Sequence, residues 1–242
     1  MRKYRFVYEY GIFDGLSALS KVIDVLRGMG YPPVFFLRGN EVGLKAIERE
    51  VAKRKVWPSG LASAGFDLRF GLIPAWGQCF VLMQETVEHD HVDLDSKFDP
   101  LLGVKGMIQA WVADVDYDYW QNATDPLQYE SAGRTLSGLS LKSNGLPPPL
   151  DQVEIDTSLN PGRKIFRQGY MEAVGNIMWL GEAFWEKAGT SRCRSLLMLQ
   201  EAGMKVYELR GVDKVVASDD VFRDESTSKT QSLLRVALFG VD

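Results

Sequence analysis

The spacing of apolar residues changes period several times within the first sixty positions. Residues 4–10, YRFVYEY, are rich in aromatic and β-branched side chains and predict a strand. Leu16, Leu19, Val22, Ile23 and Leu26 then recur at three and four residues, the spacing of a buried helix face. Asp14 or Ser17 is placed to cap that helix, and Gly28 and Gly30 end it. Val34, Phe35, Phe36 and Leu37 form a short run of buried-strand type. Asn40 stands where a second helix needs its cap, with Leu44, Ile47 and Val51 inward and Lys45, Glu48, Arg49, Lys53 and Arg54 outward. Trp57-Pro58-Ser59-Gly60 breaks it. The opening therefore predicts a β-α-β-α unit.

Further on, residues 66–73 and 78–88 predict strands, and 106–120 predict one long strand. Residues 121–150 are loop-rich and end in three prolines, which favour an extended connector. Val153 and Ile155 alternate with Glu154 and Asp156, so 152–158 reads as a strand, and Asn160-Pro161-Gly162 is a turn. Between 165 and 190 lie Tyr170, Met178, Trp179, Phe184 and Trp185 among several glycines. This composition suits a tightly packed core segment, with Arg163 and Glu172 a candidate buried pair. Residues 193–201 and 229–239 predict helices, and 204–209 with 213–217 a hairpin. Separated helices and strand clusters define an α+β fold. The expected form is a mixed, largely antiparallel sheet with the N-terminal β-α-β-α unit and peripheral helices. It is a single domain over 1–242, with 1–60 and 61–242 as the alternative subdivision.

Composition narrows the class. Of 242 residues, 45% are apolar and 25% charged, which suits a globular chain with a sizeable core. Cys79 and Cys193 form neither a CxxC pair nor a disulfide framework, and both read as reduced core thiols. No apolar run is long enough to cross a membrane, and the basic start has no apolar stretch behind it. The expected location is cytoplasmic. The net charge of −4 is unevenly spread. Residues 81–160 hold 14 acidic and 4 basic side chains, whereas the remainder holds 18 acidic and 24 basic. So acidic a middle disfavours direct nucleic-acid binding and favours a basic protein partner.

Two acidic clusters carry that charge. Asp114, Asp116 and Asp118 alternate with Val115, Tyr117 and Tyr119. On a strand they would share one face, with Trp120 at the edge as an aromatic anchor. The calcium-loop pattern fails, because Tyr119 stands where the turn needs glycine. The second cluster is Glu85, Glu88, Asp90, Asp93 and Asp95. It contains His89-Asp90-His91-Val92-Asp93, whose HxHxD spacing resembles metallo-hydrolases of the β-lactamase type. His89 and His91 are the chain's two histidines, so a third imidazole ligand is impossible. A small metal-dependent hydrolase at HxHxD is the alternative function. No nucleophile elbow, Walker loop or dinucleotide fingerprint is present. The reading is a non-enzyme with no catalytic residue, cofactor or metal.

The aromatic, glycine-rich stretch from Asn160 to Trp185, the LPPPL segment and the ending Gln231-Ser232-Leu233-Leu234-Arg235-Val236-Ala237-Leu238-Phe239 resemble bacterial immunity proteins of polymorphic-toxin and type VI secretion systems. The similarity is to the immunity protein 52 type and spans roughly residues 145–239. It implies a cytoplasmic, non-catalytic protein that binds and neutralises a cognate secreted toxin, a nuclease in many such systems. A homodimer is compatible with that role. Charge supports the same partner independently: a nuclease surface attracts phosphates, and carboxylates can compete for it. The expected contact residues are Asp114, Asp116, Asp118, Trp120, Glu85, Glu88, Asp90, Asp93 and Asp95.

Overall fold

The computed structural model describes residues 1–89 and 93–240. Strand β1 (Arg2–Glu9) leads to α1 (Gly15–Gly28), whose first amides donate to the Asp14 carboxylate at 2.8 and 2.9 Å. Next come β2 (Phe35–Leu37), β3 (Asn40–Val42) and α2 (Leu44–Arg54). Asn40 is therefore a strand residue, and Gly43 holds the cap position. The chain continues through β4 (Leu61–Ser63), β5 (Phe66–Ile73), β6 (Gln78–Glu85), α3 (Leu94–Leu102) and β7 (Met107–Asp114).

The long strand expected to reach residue 120 stops at Asp114. There the chain turns into α4 (Val115–Trp120), because the Asp114 carboxylate accepts the amides of Asp116 and Tyr117, both at 3.0 Å. Side-chain alternation favoured a strand, but an N-cap with two more carboxylates in the first turn favours a helix. Next are α5 (Pro126–Ser131), β8 (Leu141–Ser143), β9 (Val153–Ile155), β10 (Ile165–Arg167), β11 (Tyr170–Glu172) and β12 (Ile177–Gly181). The chain closes with α6 (Glu182–Ala188), α7 (Arg192–Glu201), the hairpin β13 (Lys205–Leu209) with β14 (Val212–Val216), and α8 (Ser228–Phe239).

The fold is α+β. Ten strands form one sheet in the order β13-β14-β12-β7-β1-β6-β5-β4-β2-β3, with antiparallel pairing throughout. β1 lies at the centre while β2 pairs near an edge, so the opening segment forms no adjacent parallel β-α-β pair. One sheet face packs on α1, α2 and α3. There fully buried Phe98 meets the rings of Tyr4 and Phe6 at 4.8 and 5.2 Å. On the other face, Phe184, Trp185, Leu199, Leu234 and Leu238 from α6, α7 and α8 cover β7, β12 and β14. Among the described residues that second cluster includes nothing from β4, β5 or β6, so half of this face has no helical cover. Cys79 is buried, but Cys193 is exposed on α7 and is not a core thiol. The Arg163–Glu172 pair does not form. Glu172 pairs with Arg167 at 2.5 Å, and Arg163 donates to the Asn160 carbonyl at 3.0 Å.

Candidate functional site

Helix geometry splits the three aspartates expected on one strand face, turning Asp116 away from Asp114 and Asp118. Residues two apart on a helix lie on opposite sides. Asp116 is exposed, pairs with Arg134 at 3.1 Å and accepts the Trp120 indole N–H at 3.0 Å. Trp120 is half-buried between Tyr119, Tyr129 and the Arg134 guanidinium, which lies 4.2 Å over its ring. Asp114 caps α4 and stands 3.6 Å from the N-terminal amine and 3.7 Å from Arg223. Asp118 is buried and binds the Lys3 ammonium and, at 2.7 Å, that of Lys164. Burial pushes its carboxyl up, but the two ammonium groups outweigh this and hold it below its usual range.

The second cluster divides too. Glu85 is buried, accepting the Arg2 amide at 2.7 Å and the Tyr4 hydroxyl at 2.9 Å. Burial and the adjacent Glu85 charge push that hydroxyl's pKa up. Glu88 is exposed beyond β6. Asp90 and His91 lie outside the described residues. His89 stacks on Phe66, with ring centroids 4.1 Å apart. Its Nδ1 is 3.0 Å from the Tyr31 hydroxyl and its Nε2 is 3.4 Å from the Gly65 carbonyl. One neutral tautomer satisfies both contacts, with the tyrosine donating to Nδ1, so both nitrogens already have partners. Among the described residues no three His, Cys, Asp or Glu side chains gather as metal ligands.

Asp93 and Asp95 do converge on a cavity. At one end of the sheet, a cleft of about 580 Å³ between α3 and the β13–β14 hairpin is lined by Asp93, Asp95, Asp99 and Glu208. A second cleft of about 630 Å³ adjoins it through Leu102, Gly103, Arg210 and Val212, and adds Glu9 at the end of β1 with Glu182 and Glu186 of α6. Together they form a groove lined by seven carboxylates and two cations, Lys105 and Arg210. The strand ends set its shape. At Gly181 a Cβ would collide with the Met107 carbonyl oxygen, so glycine lets β12 close against β7 at the groove floor.

Charges within the groove differ in how firmly they are held. Asp95 accepts the Trp179 indole N–H at 2.8 Å and pairs with Lys214 at 2.6 Å. Asp99 pairs with Arg210 at 2.9 Å, Glu208 with Arg192 at 3.2 Å, and Glu9 with Lys187 at 2.8 Å. Asp93, Glu182 and Glu186 are exposed and form no ion pair among the described residues. Asp93 also has a left-handed backbone with φ of +55°, unusual for a residue other than glycine, and its side chain makes no capping bond to α3. Sequence analysis found Asp93 and Asp95 but missed Asp99, Glu208, Glu9, Glu182 and Glu186. These are far apart in the chain, and only the closure of the sheet end brings them together.

No family model matches the chain, and no curated protein matches it. Among solved structures, the chain is similar to a Pseudomonas aeruginosa T6SS protein, PA0821, with a TM-score of 0.54 and 10% identity. The alignment covers 99% of this chain and 72% of that one. At this identity the likeness is one of fold. Among the described residues, no helix is long and apolar enough to cross a membrane.

Proposed function

We propose that this chain is a non-catalytic immunity protein of a T6SS locus that neutralises a cognate toxin, a nuclease, by presenting the acidic groove to the toxin's basic surface. The observation that carries this reading is the convergence of Asp93, Asp95, Asp99 and Glu208 from two distant segments on one open cleft. The sequence resemblance of residues 145–239 to immunity proteins supports the same class, as does fold likeness to a T6SS protein. An exposed ion pair contributes little stability, so an arriving arginine can replace Arg210 or Arg192 beside its carboxylate at small cost. Complementary charge of this kind mainly raises the rate of encounter and rejects wrong partners.

The test is co-expression with the protein encoded beside this chain, followed by association kinetics on the purified pair. Protection of the host and salt-sensitive association are expected. The triple variant Asp93→Asn, Asp99→Asn, Glu208→Gln is expected to slow association about tenfold at low salt. Unchanged protection together with an unchanged rate removes the groove as the contact surface. Failure of the wild-type chain to protect or bind removes the immunity reading itself.

A further inference from the structure

Asp118 shows an imbalance of the opposite sign. It lies on the side of the sheet that α6, α7 and α8 leave partly open, and its immediate neighbours are cations. Lys3 and Lys164 both bind its carboxylate. Arg5, two residues along β1 from Lys3, lies 4.3 Å over the Phe80 ring and 5.9 Å from that of Trp111. Its Nε is buried without a hydrogen-bond partner, and among the described residues Arg5 pairs with no carboxylate. Cross-strand register extends the patch. Arg5 and Arg69 both pair with Leu82 from opposite sides of β6, placing both on the Leu82 face. Lys3 and Asp67 likewise flank Gln84. Around Asp118, Lys3, Arg5 and Lys164 thus stand against one carboxylate, two positive charges in excess, while Arg69 and Asp67 offset each other farther along the face.

Excess positive charge under partial burial is costly, and an incoming oxyanion relieves it. Each ammonium carries three N–H donors and the guanidinium five, so Asp118 satisfies only a fraction of them. Burial pulls Lys164 down to about 8, and nearby Lys3 and Arg5 add to that pull against the attraction of Asp118. Burial likewise lowers Arg5 to about 10. The Lys3 and Lys164 side chains remain 16% and 19% exposed, so solvent still reaches them. We propose that Lys3, Arg5 and Lys164 form a binding site for an oxyanion, a phosphate or carboxylate group, on the sheet face opposite α1, α2 and α3. The site is separate from the acidic groove and does not depend on the function proposed for it.

Calorimetric titration of the full chain with inorganic phosphate and with a hexaglutamate peptide, against sodium chloride at matched ionic strength, tests the proposal. Saturable binding with a Kd of roughly millimolar or tighter is expected for at least one probe. Phosphate binding alone identifies a free oxyanion, and hexaglutamate binding alone a carboxylate displayed by a protein. Lys164→Met and Lys3→Met are each expected to weaken binding at least about tenfold. Lys45→Met, on distant α2, is expected to leave it unchanged. If either site variant does not fold, the wild-type amide resonances of Lys164 and Asn122 supply the readout. They are expected to move with probe concentration while those of α2 stay fixed. No saturable binding by either probe, or equal weakening in Lys45→Met, overturns the proposal.

Discussion

Asp114, Asp116 and Asp118 open α4, and Asp93, Asp95 and Asp99 stand at the cap and along the length of α3, yet the two trios meet different surroundings. On α4 one carboxylate caps the helix, one is buried between two lysines, and one pairs with Arg134 at the surface. On α3 all three line the same cleft, and Glu208 of the hairpin joins them. Spacing and residue type are similar in both. What differs is the neighbour across the gap: β1 and the loop before β10 close two lysines over the one carboxylate of Asp118, whereas the hairpin brings α3 another carboxylate beside Arg210 and Lys214 and leaves Asp93 unpaired among the described residues. An acidic run acquires a role only from what the fold packs against it.

Substitutions can break this contrast, starting with the largest effect. Asp118→Asn leaves Lys3 and Lys164 without a counter-charge and is expected to cost about 3 kcal/mol, measured by urea unfolding. A loss below that of Asp116→Asn refutes its structural role. Glu85→Gln keeps the shape and one acceptor oxygen but puts an N–H₂ where the other of two donors needs an acceptor. A loss of roughly 1–2 kcal/mol is expected in the same assay. Lys164 supplies a pH signature. Its folded value of about 8 lies below the unfolded 10.5, so the unfolded chain binds more protons between them. Wild-type stability relative to Lys164→Met should therefore rise as pH goes from 8 towards 10.5, measured by urea unfolding at a series of pH values. Asp118 acts at the other end. Its contribution is complete above pH 3.8 and is lost as pH falls below that value towards its lower folded one. Smallest of all, Asp116→Asn breaks an exposed pair and is expected to change stability by about 0.5 kcal/mol or less.

Much of the fold was legible along the chain. Residues 66–73 form the expected strand, Asp14 caps α1, and the last two helices and the hairpin lie within a residue or two of their expected bounds. Local signals sufficed there, because periodicity and capping depend on neighbours in sequence. The misreading at 115–120 came from two local signals in conflict. Alternating aspartates suggested a pleated face, while Asp114 as a cap with two acidic residues behind it suggested a helix, and the cap prevailed. Asn40 shows the converse: a residue suited to capping was drawn into pairing with Leu37 in a short hairpin.

The candidate site was legible only in part. An acidic middle segment was plain from composition, and Asp93 and Asp95 were within it. Which carboxylates stay available was not, because neutralisation comes from Lys3, Lys164, Lys214 and Arg192, residues up to 119 positions away from the acids they bind. By itself the chain determined most of its elements, its α+β class and the sign of its middle third, since each follows from short-range pattern and count. Tertiary structure alone decided which charges are buried with partners, which line a groove, and where positive charge is left in excess, because Coulomb energy depends on distance and depth in the folded chain.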